Sequence, residues 1–128
     1  MVESIKVLIV DDQPRARRSL IALLATCFQV EKAREAANGR DALALVEECL
    51  PDLILMDVRM PEMDGLQATR LIKTRWPQVK IIVLSLYAEY MDEALAAGAD
   101  AFVSKGAPAA KLLATLSAVT HSSFCNHE

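Results

Sequence analysis

Apolar residues in this chain follow two patterns that take turns. The first is the unbroken run: Ile5 to Val10 with one lysine in it, Leu53-Ile54-Leu55-Met56, and Ile81-Ile82-Val83-Leu84. Runs of that length read as strands buried on both faces of a parallel sheet. The second is helical spacing. Leu20, Leu23, Leu24 and Cys27 share one face of a helix beginning near Pro14, and Ala42, Leu45, Val46 and Cys49 share one from about Arg40 to Leu50. Ala68, Leu71 and Ile72 do so from Asp64-Gly65 to about Trp76, and Met91, Ala94 and Leu95 from about Glu89 to Ala97. Leu112, Leu113, Leu116 and Val119 line a last helix from near Pro108. Two weaker strands complete the alternation, Lys32 to Ala36 and Ala101 to Ser104. The punctuation agrees: Pro14 suits a first helical turn, Asn38-Gly39 marks a turn, Pro51 and Pro77 stop helices, and Gly98 suits the residue after one.

Five strands alternating with five helices predict an α/β domain, a parallel sheet with helices on both faces. Ligands of such sheets bind at the carboxyl ends of the strands. Five polar residues fall there: Asp11 and Asp12 after the first strand, Asp57 after the third, Ser85 after the fourth and Lys105 after the fifth. Each has a plain reading as well. An aspartate at that place caps a helix or makes a turn, a serine is a turn hydroxyl, and a lysine is a solvated charge. Capping explains one of Asp11 and Asp12, not both. The shared edge favours a site.

If the first and third strands are neighbours, three carboxylates converge. Two charges about 4 Å apart repel by roughly 4 kcal/mol at an effective dielectric near 20. Such a cluster needs a cation or a raised pKa. All-oxygen ligation points to a hard ion, Mg²⁺ first. A carboxylate nucleophile, a hard metal and a fixed ammonium compose a phosphoryl-transfer site. Asp57 stands singly at the central strand and is the nucleophile in that reading. Asp11 and Asp12 are metal ligands, and Ser85 and Lys105 hold phosphoryl oxygens. The cations Arg15, Arg17 and Arg18 open the first helix against its macrodipole, and the plain reading is a solvated basic face.

Composition narrows the classes. A chain of 128 residues with 53% hydrophobic content suits one compact domain. A net charge of −3 gives no basic surface for nucleic acid. No apolar run is long enough to span a bilayer, and Met1-Val2-Glu3-Ser4 leads almost at once into a strand, so neither membrane nor signal peptide is expected. Cys27, Cys49 and Cys125 are odd in number and lack CxxC spacing, which fits reduced thiols and a cytoplasmic protein. Residues 1–120 form the domain, and 121–128 a tail or the start of a linker.

The motifs together resemble the response-regulator receiver domain of two-component signalling. They are Val10-Asp11-Asp12, Asp57-Val58-Arg59-Met60-Pro61-Glu62-Met63-Asp64-Gly65, Ser85, Ala97-Gly98-Ala99-Asp100-Ala101-Phe102 and Lys105. The resemblance implies a flavodoxin-like, doubly wound five-stranded parallel sheet in strand order 2-1-3-4-5. It implies that Asp57 accepts a phosphoryl group from a sensor histidine kinase or histidine phosphotransfer protein. Asp12, Asp57 and the backbone carbonyl of Arg59 would bind Mg²⁺ directly, and Asp11 through a water. Lys105 would pair with the acidic cluster or the phosphate. Ser85 and Phe102 match the switch positions, and the surface of the fourth helix, fifth strand and fifth helix would change on phosphorylation, favouring a homodimer. The chain would be a signalling phosphoacceptor that catalyses only its own phosphorylation and dephosphorylation, with transcription as the output.

One departure concerns Lys105-Gly106, where much of the family has proline after the lysine. A non-proline cis bond costs about 2.5–4 kcal/mol, so a trans bond or a different loop is expected. The run Lys105-Gly106-Ala107-Pro108 resembles receivers joined to helix-turn-helix DNA-binding domains. Rival readings fit less well. A flavin-binding flavodoxin would want a phosphate loop where Asp12-Gln13-Pro14-Arg15 stands. An aspartyl-phosphate phosphatase would want an acid at Arg59. A pseudo-receiver would lack part of the acidic set.

Overall fold

In the computed structural model, residues 4–27 and 30–120 are described. Five strands alternate with the helices: β1 (Ile5–Val10), α1 (Pro14–Cys27), β2 (Val30–Ala36), α2 (Gly39–Cys49), β3 (Leu53–Asp57), α3 (Gly65–Arg75), β4 (Lys80–Ser85), α4 (Met91–Ala96), β5 (Ala101–Ser104) and α5 (Ala109–Thr120). A 3₁₀ turn, Ala88–Tyr90, precedes α4. The sheet is parallel in the order β2-β1-β3-β4-β5, as the family resemblance implied.

Strand side chains alternate between faces, and the alternation sorts the core in two. Leu8, Val10, Ile54, Met56, Ile81 and Val83 pack under α2, α3 and α4. Val7, Ile9, Leu53, Leu55, Ile82 and Val103 pack under α1 and α5. Buried on both faces, the three central strands need no alternating polarity, which is why they read as continuous apolar runs.

Several local expectations change. The second strand is longer than its composition suggested and starts at Val30. It is the sheet's edge, and Glu31, Lys32 and Glu35 suit an edge that must not pair further. Asn38 is the N-cap of α2, its side chain accepting from the Asp41 N–H. Leu50 lies beyond α2 in a left-handed conformation, φ 44°. Leu45 and Cys49 are half-buried rather than core, and Leu71 is exposed.

The largest correction is in α4. Met91 and Leu95, expected to point inward, are 45% and 47% exposed. Ala94, expected inward with them, is buried, and so is Ala97. At 100° per residue they sit roughly 60–160° around the helix from Met91 and Leu95. Gly98 ends this segment at φ 105°, a conformation open to glycine. The side chain of Cys27, and Cys125 with the rest of the tail His121 to Glu128, lie outside the described residues.

Candidate functional site

The register brings the ends of β1 and β3 side by side, Val10 opposite Met56. Asp11 and Asp57 continue the parity of Ile9 and Leu55, so both turn toward the α1–α5 side. Lys105 continues the parity of Val103 on the same side. Ligand oxygens of Asp11, Asp12 and Asp57 all lie within 4.8 Å of one another. The Lys105 ammonium donates to Asp11 Oδ2 at 2.9 Å and lies 3.0 Å from Asp57 Oδ1.

The three carboxylates differ. Asp11 is buried, 1% exposed, and every polar atom of it is engaged. Its N–H donates to the Ala36 carbonyl, and Oδ1 accepts from the Gln13 N–H at 2.9 Å. Oδ2 accepts from Lys105, and its carbonyl accepts from the Arg17 guanidinium. Asp12 is half-buried, with no side-chain partner among the described residues. Asp57 is nearly buried, and burial pushes its carboxyl above the usual range. The hydrogen bond and charge of Lys105 pull against that shift, and the Asp11 charge adds to it. For Lys105, burial disfavours the ammonium, but the hydrogen bonds to Asp11 and Asp57 outweigh it and hold the group above its ordinary value.

Among the described residues, one cation thus bonds two of three clustered carboxylates. The surplus negative charge and the hard, all-oxygen donor set fit Mg²⁺.

The loop after β3 brings its own constraints. The Gly65 N–H donates to the Val58 carbonyl, and α3 begins hard against the strand end. A Cβ on Gly65 would stand 1.8 Å from the Asp57 carbonyl oxygen, so only glycine permits that approach. Asp64 caps α3 by accepting from the Gln67 N–H. Glu62 takes φ 68°, a left-handed turn that the sequence pattern did not signal.

Ser85 is buried at the end of β4, and its Oγ accepts from the Tyr87 N–H. The plain turn-hydroxyl reading therefore holds in this state. Accepting leaves the hydroxyl proton free for another partner. Phe102, opposite Val83, is half-buried against the α2–α4 side of the core, which is also the side of Ser85's parity. Ser85 and Phe102 thus continue the face opposite to that of Asp11 and Asp57, and Asp12 continues the parity of Val10 on their side. The Lys105 N–H donates to the Ser85 carbonyl, and no described peptide bond is cis, which matches the trans expectation for Lys105-Gly106.

Two groups were missed by sequence reasoning. Arg17 does not belong to a solvated basic face: its side chain is 15% exposed, bonded to the Asp11 carbonyl and to Glu35 Oε1 at 2.7 Å. The Arg59 side chain, unlike its carbonyl, had no role assigned. Its guanidinium lies 4.6 Å over the Tyr87 ring, and Tyr90 and Tyr87 hold it above its ordinary pKa. Tyr87 and Tyr90 meet edge to face, so the loops after β3 and β4 are joined across the mouth of the site. Nothing in the sequence signals that contact beyond the arginine and tyrosine types themselves.

Known proteins resemble this chain. Residues 7–117 match the response regulator receiver domain. The chain is 42% identical over 112 residues to the uncharacterized transcriptional regulatory protein YhcZ of Bacillus subtilis, covering 86% of this chain and 52% of that protein. Among solved structures it resembles a two-component response regulator of the LuxR family from Aurantimonas, with TM-score 0.87, 26% identity, and 93% of this chain against 86% of that one. It also resembles a chain of the CheX–CheY–beryllofluoride–Mg²⁺ complex from Borrelia burgdorferi, with TM-score 0.80, 26% identity, and 89% against 87% covered. The chain spans about half the length of the curated relatives it matches. A five-stranded sheet in this order, a carboxylate cluster with its lysine at the strand ends, and a family match over most of the chain converge: the chain belongs to the response regulator receiver domain family.

Proposed function

We propose that Asp57 is the phosphoacceptor of this receiver, and that Asp11, Asp12, Ser85 and Lys105 serve its reaction. The observation that carries the reading is the three-carboxylate cluster within 4.8 Å, bonded to a single lysine at the carboxyl edge of the sheet. Asp12, Asp57 and the Arg59 carbonyl would hold Mg²⁺ directly. Asp11, with both oxygens already bonded to protein donors, suits a contact through water. The similarity to a chain of a complex that carries Mg²⁺ and beryllofluoride supports the same assignment. Bound there, the ion supplies positive charge to the phosphoryl oxygens.

The residues divide the work. An Asp57 oxygen attacks the phosphorus of a phosphohistidine on a kinase or phosphotransfer protein. An O–P bond forms and the P–N bond breaks. Its electron pair returns to the imidazole nitrogen, which takes up a proton from water. Lys105, already beside Asp57, holds charge on the transferred group. The Ser85 hydroxyl proton turns to a phosphoryl oxygen, and Phe102 fills the space that opens beneath the loop after β4. The exposed surface of α4, β5 and α5 changes with it. It favours a homodimer and passes the signal to a transcriptional output, as the names of the relatives suggest. Residues 1–120 are the receiver and 121–128 the tail or start of a linker. No helix among the described residues is long and apolar enough to cross a membrane, and the reading is of a cytoplasmic protein whose own segment does not bind nucleic acid.

The test is incubation with a small phosphodonor and Mg²⁺, read by intact mass. One phosphoryl group is expected on the wild type and none on Asp57→Asn. A group that persists on Asp57→Asn would refute the acceptor. For the switch, amide spectra with beryllofluoride should move at Ser85, Phe102 and along α4. Unchanged signals there would leave Phe102 as an ordinary core residue.

A further inference from the structure

Arg17 has no part in the reaction described above, yet it is the most constrained cation of its helix. Arg15 and Arg18 are exposed, whereas Arg17 is 15% exposed. Its guanidinium makes two bonds in different directions. One nitrogen donates to the Asp11 carbonyl and Nε donates to Glu35 Oε1 at 2.7 Å. The Asp11 N–H meanwhile donates to the Ala36 carbonyl at 3.0 Å. Arg17 therefore ties the end of β1 to the end of β2 at the point where the chain leaves the sheet. A cation in the first turn of a helix opposes the macrodipole. The carbonyl and the Glu35 carboxylate offset that.

The Asp11 carbonyl matters because of what it is joined to. A peptide group is planar, so its oxygen, the Asp12 nitrogen and both Cα atoms move as one plate. Holding that oxygen fixes the plate between the two acidic residues. Asp11 is already held through its N–H, Oδ1 and Oδ2. Asp12, half-buried and without a side-chain partner among the described residues, has no such anchor there, and the plate sets the direction in which its side chain leaves.

We propose that Arg17 is a positioning residue of the acidic site: by gripping the Asp11 carbonyl and Glu35 together, it orients the Asp11–Asp12 peptide and thereby aims the Asp12 carboxylate at the cation. This rests on the reading of Asp11, Asp12 and Asp57 as the Mg²⁺ site. A planar fork reaching two acceptors at once is arginine chemistry, and lysine does not reproduce it.

The experiment is a Mg²⁺ titration of the full 128-residue chain without phosphodonor, followed by amide shifts, with melting temperature recorded for each variant. Removing a partner that orients a metal ligand lowers metal affinity about 10–100-fold. Arg17→Lys should raise half-saturating Mg²⁺ about tenfold. Glu35→Gln, which loosens one limb of the grip, should raise it by a smaller factor. Arg18→Gln, which removes an exposed charge from the same turn, should leave it within about twofold. Four results would overturn the proposal. Arg17→Lys matching wild type while Arg18→Gln weakens binding would mean simple long-range charge. Lower melting temperatures with unchanged Mg²⁺ affinity would mean a purely structural tie. A wild type that binds no Mg²⁺ would remove the acidic-site reading and this inference together, whereas a wild type that binds and an Arg17→Lys that binds equally would remove only the inference.

Discussion

Two lysines at opposite edges of the sheet make similar contacts for different ends. Lys73, on α3, sits at the amino edge. Its ammonium donates to the Pro77 carbonyl at 3.0 Å, the Val79 carbonyl at 2.9 Å and Asp100 Oδ2 at 3.1 Å. The same Asp100 oxygen accepts from the Ile81 N–H, so one knot joins the end of α3 to the starts of β4 and β5. Three donors meet three acceptors, and one cation meets one anion. Lys105, at the carboxyl edge, meets two carboxylates with a third close by. There the charge does not balance, and burial, with the Asp11 charge adding to it, pushes the Asp57 carboxyl above its ordinary range. A satisfied, neutral knot holds structure. An acidic cluster left short of cations is set to take one up. The lysine alone does not tell the two apart, but its surroundings do.

Substitutions can break that contrast. The largest effect is expected of Asp57→Asn, complete loss of phosphoryl uptake by intact mass. Next is Lys105→Met. Removing a charge-stabilising donor from a reacting centre lowers rates by about 10²–10³-fold, so phosphorylation by a small phosphodonor should fall about 100-fold. Its lost stability should be partly restored by Mg²⁺, read as a melting temperature with and without the ion. Addition of Mg²⁺ to the wild type at about 100 times its Kd should itself stabilise the fold by about 2.7 kcal/mol, a gain that a chelator reverses.

Lys73→Met should do the converse. It strips a charged donor from two carbonyls and a carboxylate, a loss of about 2 kcal/mol, seen as a drop of about 8 °C in Tm. Phosphorylation of the folded protein should stay within about twofold, and Mg²⁺ should give no selective rescue. Were Lys73→Met to abolish phosphorylation while remaining folded, the division between structural and functional lysine would fail.

The smallest effect concerns pH. Because burial raises the Asp57 pKa, the native state binds more protons than the unfolded chain just above the ordinary value of 3.8. Stability from this group therefore falls as pH rises through that window. Without Mg²⁺, Asp57→Asn should be more stable than wild type at neutral pH, and the advantage should shrink as pH falls and wild-type Asp57 takes up its proton. Denaturant midpoints at several pH values measure this. An advantage that grows in acid would reverse the sign assigned to Asp57.

The sequence by itself determined the strand order of events along the chain and the edge on which the chemistry sits. Runs such as Leu53 to Met56 have to be buried on both faces, and a carboxylate directly after such a run has to emerge where the strand ends. The side that Asp11, Asp57 and Lys105 share was not legible there, because strands apolar on both faces show no parity of their own; the register and the packing of α1 and α5 set it. Tertiary structure decided the fate of the long polar side chains and of the short helix. Arg17 finds Glu35 eighteen residues away, Lys73 finds Asp100 twenty-seven away, and Lys105 finds Asp11 ninety-four away. Local pattern holds no record of such partners, so Arg17 reads as one more solvated cation until β2 is laid beside β1. The face of α4 was likewise beyond periodicity. Met91, Ala94 and Leu95 share a stripe with the right spacing, but of the three only Ala94 is buried, together with Ala97, while the larger Met91 and Leu95 stay exposed. Close packing, which depends on the shape of the partner, made that choice.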